Sequence, residues 1–293
     1  MATLRHCPPP TMATLFVEEL ANLDFAYLDP QRGLVGETYL LDLELTGDLD
    51  AQGMVLDFGR VKREIRDAAE RLVDHKLVVP AQSPAVAYDA SVNRVLLTLV
   101  AGGMIEVVCP SQALCLIDAG QVGIDTVAAA VREVVRGQVP GNVSDVDVVL
   151  RPEQIDGAWY HYCHGLRKHD GDCQRIAHGH RSRIRIERAG RRDEGLERAW
   201  AARWNDHFLA TGSDELPAQR VAHRRFGYDA PQGHFELELP ASLVDILPTD
   251  TTVEQLAEFT ATTLAGQLGE PVAVRAYEGV RKGARAMASG VAG

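Results

Sequence analysis

The chain has 293 residues, 46% of them hydrophobic, and a formal net charge of −11 at neutral pH. That length accommodates one large domain or two ordinary ones, and the acidic balance argues against a nucleic-acid partner, which needs a basic footprint. No apolar run approaches the roughly 20 residues that span a bilayer, which argues against a membrane partner, and five cysteines without framework spacing fit a reducing cytoplasm.

The opening MATLRHCPPPTM has three prolines and no apolar signal-peptide core, so residues 1–12 read as a short disordered leader. Thr14 to Glu19 is predicted to be a short strand. Tyr39 to Thr46 sets Leu41, Leu43 and Leu45 on one face against Asp42 and Glu44 on the other, the period of a half-buried strand. Asp57 then caps a predicted helix, DFGRVKREIRDAAERLV, with Val61, Ile65, Ala68 and Leu72 as its apolar stripe. Val95–Val100 and Met104–Val108 are strand-like, with AGG between them. A helix over Asp125–Arg136 and a strand over Asp145–Arg151 close the first half, predicted to span 13–155.

From Gly157 the same order recurs over 156–293. A strand carries His164, a second carries HGH, and a helix runs from Asp193 to Trp204. The strand HFELELP follows, then a helix over Thr251–Leu268 and a strand over Val272–Tyr277. Two passes through one element order imply a tandem duplication.

Half of the ten histidines fall between His161 and His180. His178 and His180 are two apart in a period-two stretch, so both imidazoles share one strand face. Gly179 leaves the opposite face bare. With His164 as the third donor, three neutral imidazoles would fill three of zinc's four positions and leave one open, the pattern of catalytic sites. The competing reading is that HGH is a chance pair on a solvated strand. A structural Cys-His zinc has poor spacing, because Cys163 and Cys173 are ten apart with no CxxC.

His164, then Cys173, then four residues, then His178-Gly-His180 resembles the pattern of the 6-pyruvoyl- and 6-carboxytetrahydropterin synthases. The resemblance extends to GMVLDFGRVK (Gly53–Lys62) followed by LVDHK. It extends also to TTVEQLA, similar to the family's PTxEN helix start, and to AYEGVRKGA, which puts Glu278 at the family's pterin-anchoring glutamate. The first half has GET (Gly36–Thr38) in place of HGH and Tyr27 in place of the first ligand, so it resembles a zinc-less copy. Its only acid at the place of Glu278 is Glu153. The second half in turn has nothing like MVxDF.

The resemblance implies an α+β fold of tandem tunnelling-fold units. Each is a four-stranded antiparallel sheet with two helices on one face, and units assemble edge to edge into a barrel with active sites across unit boundaries. It implies Zn2+ on His164, His178 and His180, and Cys173 as catalytic base. Asp74-His75 or Asp206-His207 would be its acid-base partner, the first pair if the site crosses halves and the second if it does not. Glu278 and Thr252 would bind substrate. The implied reaction converts 7,8-dihydroneopterin triphosphate to 6-carboxytetrahydropterin with loss of acetaldehyde and triphosphate, as in the bacterial queuosine pathway. The implied protein is a cytoplasmic homo-oligomer acting on a small pterin.

A thiolate base needs a cation nearby to lower its pKa, and an Asp followed by His can orient an imidazole for proton relay. Each residue also has a plainer reading: Cys173 as an inert buried thiol, either Asp-His pair as a surface accident, Glu278 as a strand-end glutamate. Alternative functions are the pyruvoyl branch, in which only triphosphate leaves, metal-assisted hydrolysis, a non-catalytic pterin- or purine-binding protein, and a structural zinc that holds an oligomer together.

Overall fold

The computed structural model describes residues 12–290. Apart from Met12, the expected leader lies outside the described residues. The first half runs β1 (Met12–Asp29), β2 (Gly33–Asp48), α1 (Phe58–Val73), β3 (Leu77–Pro80), β4 (Val86–Asp89), β5 (Arg94–Thr98), β6 (Met104–Val108), β7 (Leu114–Ile117), α2 (Ile124–Arg136) and β8 (Val143–Pro152). The second half runs β9 (Trp159–His164), β10 (His178–Arg188), β11 (Arg191–Arg192), α3 (Glu194–Trp204), β12 (His207–Thr211), β13 (Glu215–Leu216), β14 (His223–Ala230), β15 (Gly233–Pro240), β16 (Val244–Leu247), α4 (Val253–Leu268), β17 (Val272–Tyr277) and β18 (Gly283–Ala288).

The helices begin where side chains can cap them. Asp57 accepts from Gly59 N–H at 3.1 Å, Asp193 from Leu196 N–H at 3.0 Å, and Thr252 from Gln255 N–H at 3.4 Å, each satisfying a donor that has no intrahelical partner. The stripe of α1, including Val61, Ile65 and Val73, packs with Val127, Val131 and Val135 of α2 on one face of the first sheet. In the second half Trp200 and Trp204 of α3 and Leu256 and Leu264 of α4 do the same against β10 and β17.

The first sheet has the order β7-β3-β1-β2-β8, and the second contains β16-β12-β9-β10-β17, extended by β18. Element for element these are one topology used twice. The expected four-stranded antiparallel sheet is corrected by this arrangement. Each sheet has a fifth core strand and is mixed, because β3 lies parallel to both β1 and β7, and β12 parallel to both β9 and β16. The cause is α1 or α3, which carries the chain back from the second strand so that the next one runs alongside the first.

A third sheet, β13-β14-β15-β6-β5-β4, takes strands from both halves. Leu237 of β15 pairs with Val107 of β6, and the core beneath mixes Leu97, Ile105 and Val107 with Phe226, Phe235 and Leu237. The halves are therefore joined by a shared core. They also meet closely where β2 crosses β10. A Cβ on Gly36 would overlap the backbone of Tyr162 and His180, and one on Gly179 would overlap Tyr162 O and Gly36 Cα. Gly179 does not leave a bare face, as the HGH spacing suggests; it allows two backbones to touch.

Candidate metal centre

The β9–β10 register sets His164 directly across from His178, and His180 lies two residues farther along β10. All three are fully buried, and one nitrogen of each lies within 4.8 Å of the others. The chain holds each ring from behind. His164 Nδ1 donates to Thr251 O at 2.9 Å and His178 Nδ1 to Arg175 O at 2.7 Å. His180 Nδ1 lies 3.1 Å from Asp24 Oδ1. Each ring therefore turns Nε2 inward, and outer partners of this kind orient metal-ligating imidazoles.

The inner atoms test whether a cation fits. His178 Nε2 is buried without a partner, an arrangement that costs about 1–3 kcal/mol if nothing occupies it. His164 Nε2 and His180 Nε2 are 3.2 Å apart, close to the ligand-ligand edge of about 3.3 Å that zinc-nitrogen bonds of about 2.0 Å span in a tetrahedron. Burial, then the neighbouring imidazoles, push His164 and His178 well below the usual histidine range. Neutral rings with free lone pairs are what a metal needs. The donor set fits zinc.

Asp24, from β1 of the other half, is buried and accepts from Thr38 Oγ1 at 2.6 Å. Lys282 Nζ lies 3.5 Å from its second oxygen. Burial raises the Asp24 carboxyl, but His180 and Lys282 outweigh it and hold the group well below the usual carboxylate range. Sequence reasoning missed both residues. The available signal was an aspartate in the apolar run ANLDFAYL, since a buried charge needs a partner.

Asp74 and His75 reach the same centre from the end of α1. Asp74 caps the helix, accepts from Asp24 N–H at 2.9 Å and lies 2.6 Å from His75 Nδ1. His75 adopts a left-handed φ of 52°, and its N–H donates to Asp24 O at 2.6 Å, so the strained residue is fixed on both sides. Its ring lies 5.1 Å from that of His178. Burial opposes charge on His75, but hydrogen bonds with Asp74 and Cys173 prevail and lift it to about 11. Cys173 is half-buried, on a one-turn helix over Asp172–Gln174 in the β9–β10 connection.

Glu278 sits in the β17–β18 turn with Oε1 3.9 Å from His180 Nε2 and Oε2 3.9 Å from Lys282 Nζ. Thr252 is the α4 cap; its preceding neighbour's carbonyl holds His164. Asp206 and His207 lie elsewhere. Asp206 takes a bidentate pair from Arg32 at 2.6 and 3.0 Å, and His207 Nδ1 binds Asp245 at 2.7 Å.

Backbone pairing identifies the equivalent positions in the two halves. His161 N–H donates to Asn205 Oδ1 at 3.1 Å and Asp206 N–H to His161 O at 2.8 Å, repeating the bonds of Asp24, Asp74 and His75. Asn205 thus stands where Asp74 does, and Asp206, with φ 62°, stands where His75 does. The sequence pairing of Asp206-His207 with Asp74-His75 is one residue out of step. By the same register Tyr27 faces Val35 as His164 faces His178, so Val35-Gly36-Glu37, not Gly36-Glu37-Thr38, occupies the place of HGH.

No protein-family model matches the chain, and no curated protein matches it. Among solved structures, it is similar to a Plasmodium vivax 6-pyruvoyltetrahydropterin synthase, with 18% identity over 48% of this chain and 98% of the other, at a TM-score of 0.39. A Plasmodium falciparum 6-pyruvoyl tetrahydropterin synthase matches with 13% identity over the same shares, also at 0.39.

Proposed function

We propose that the chain is a zinc-dependent pterin synthase that converts 7,8-dihydroneopterin triphosphate and water to 6-carboxytetrahydropterin, acetaldehyde and triphosphate. The observation that carries this reading is the meeting of two sets of groups. Three buried imidazoles, one with an orphaned inward nitrogen, come from one half, and an Asp74-His75 pair, with a ring nitrogen within 4.8 Å of Cys173 Sγ, comes from the other. Zinc bound by His164, His178 and His180 would act as a Lewis acid on the side-chain hydroxyls of the substrate.

Cys173 takes the proton from the carbon bearing the side-chain hydroxyl nearest the ring. Asp74 holds the charged His75 ring through Nδ1–H, so its Nε2–H can give a proton to the pterin ring and be replaced by the one Cys173 has taken. The ring is reduced as the side chain is oxidised, so no external oxidant or reductant is needed. Glu278 receives two N–H groups of the pterin edge. Burial of the three imidazoles keeps bulk water from the metal positions, and Asp24 and the Thr251 carbonyl fix the rings that carry them.

The two halves, 13–155 and 156–293, are read as duplicated units that keep one working site between them, with Asp74-His75 as the acting pair. The outer strands β7, β8, β16 and β18 pair on one side only among the described residues, which favours assembly of copies through sheet edges. Among the described residues no helix is long and apolar enough to cross a membrane; the cytoplasmic location is part of the proposal.

The test is product analysis with zinc-loaded protein. Acetaldehyde together with 6-carboxytetrahydropterin is the expected result. Triphosphate release with the three-carbon side chain retained would move the assignment to the pyruvoyl branch, and no consumption of substrate would overturn both.

A further inference from the structure

His178 belongs to two groups of donors. Besides the three-histidine cluster, one ligand atom from each of His75, Cys173 and His178 lies within 4.8 Å of the others. Both rings have their outer nitrogens engaged, His75 Nδ1 by Asp74 at 2.6 Å and His178 Nδ1 by Arg175 O at 2.7 Å. Nε2 of each therefore faces the shared space; that of His178 is buried without a partner, and that of His75 serves as a donor once an ion displaces its proton. A carboxylate behind an imidazole, as Asp74 stands behind His75, is the usual support of a metal-binding histidine.

We propose that His75, Cys173 and His178 form a second cation site, selective for soft divalent ions and mutually exclusive with the three-histidine site. Exclusion follows from His178 having one inward lone pair, which serves one ion at a time. Selectivity follows from the donors. A thiolate with two imidazoles favours thiophilic ions, whereas three imidazoles favour ions of the zinc type. A soft ion in this position ties up Cys173 and His75 together and takes His178 from the other site, so it inactivates the protein without competing for a substrate subsite. Only that last consequence rests on the proposed function; the site itself follows from the donor atoms.

The experiment uses Cd2+ titrated into the metal-free full-length protein, with the ultraviolet thiolate-to-cadmium charge-transfer absorbance as readout. Parent, His164→Ala, Cys173→Ser and His75→Gln proteins are compared, each checked for native circular dichroism. The expected result is one equivalent with charge-transfer absorbance in the parent, kept in His164→Ala and lost in Cys173→Ser, which still binds zinc like the parent. His75→Gln removes a donor, so it should weaken cadmium by more than the roughly 10–100-fold that loss of an outer partner costs, with zinc affinity unchanged. Cadmium binding without the absorbance in the parent would overturn the proposal. So would loss of the absorbance in His164→Ala, which would make Cys173 a fourth ligand of the three-histidine ion, or simultaneous binding of two equivalents. Because no turnover is measured, failure of the synthase reading leaves this result standing, and the reverse also holds.

Discussion

The three-histidine cluster and its counterpart in the other half share one backbone and carry opposite side chains. Where the second half has His164, His178 and His180, the first has Tyr27, Val35 and Glu37. The supporting pair is exchanged as well. Asp24 lies 3.1 Å from His180, while at the equivalent position His161 lies 3.9 Å from Glu37, so the carboxylate and the imidazole have traded places. In the strand connections, Cys173 meets His75 at one site, and Arg32 meets Asp206 at the other, with Tyr27 Oη also accepting from Arg32 at 2.9 Å. One backbone frame thus holds either a set of inward lone pairs that calls for a cation or a cation of its own. Chemistry is decided by a few side chains on strands whose positions the fold already fixes.

Substitutions that separate the two regions should differ in kind. The largest effect is expected from Cys173→Ala, which should lower turnover by about 10²–10⁴, the usual contribution of a general base, with zinc stoichiometry unchanged. Inductively coupled plasma analysis beside steady-state kinetics checks both, and loss of zinc with activity would make Cys173 a ligand instead. Next, His178→Ala should abolish tight zinc binding. At a free zinc concentration about 1,000 times Kd, the metal stabilises the parent by about 4 kcal/mol, so chelation should lower the parent's Tm by several degrees and leave the variant's unchanged. Asp24→Asn should cost about 10–100-fold in zinc affinity, although none of the three clustered histidines lies in the half that contains Asp24. An unchanged affinity by chelator competition would show that backbone packing alone holds His180.

Much of this was legible in the sequence wherever the determinants are local. The helix expected over Asp125–Arg136 is α2 at Ile124–Arg136, the one over Thr251–Leu268 is α4 at Val253–Leu268, and the strand over Val272–Tyr277 is β17 without change. In each, the apolar pattern lies within one window, and for α4 the Thr252 cap does too. The strand expected over Thr14–Glu19 is the start of the much longer β1, bent by a bulge between Val17 and Ala21; the bulge breaks the alternation there, and beyond Leu23 the strand is buried on both faces. The third sheet escaped notice because β6 and β15 come from different halves, and no local pattern encodes such a pairing. The histidine cluster was visible as a spacing. Asp24 and Lys282 were not, because what makes them part of the centre is a contact between halves. The one-residue slips at Val35-Gly36-Glu37 and at Asn205-Asp206 have the same origin, since motif similarity orders residues but backbone pairing assigns them to places.

The smaller predictions concern the metal-free counterpart. Arg32→Ala should destabilise the fold by about 1–3 kcal/mol by leaving the Asp206 carboxylate without its bidentate partner, with zinc affinity intact. Urea unfolding with chelator competition on one preparation checks the pair, and a change in zinc affinity would mean the two regions are coupled.

The finest distinction is a pH profile. Burial lifts the Glu37 carboxyl from 4.5 to about 7, against the pull of Thr38 N–H and Arg181. The folded state then holds a proton that the unfolded state has released, so this group's contribution to stability falls as pH rises from 4.5 toward about 7. His161 acts in the opposite sense. Burial, with Arg32, pushes it from 6.5 down to about 4, so its contribution is complete above 6.5 and is lost as pH falls toward 4. In the parent the two slopes oppose each other. Glu37→Gln keeps an acceptor for Thr38 N–H and removes the first slope, so the variant's stability should climb relative to the parent's across this range, by at most about 1.4 kcal/mol per pH unit. Denaturant midpoints at several pH values measure the difference. Superimposable profiles would mean that Glu37 binds its proton equally well in the folded and unfolded chain, so that burial at this position does not raise the carboxyl.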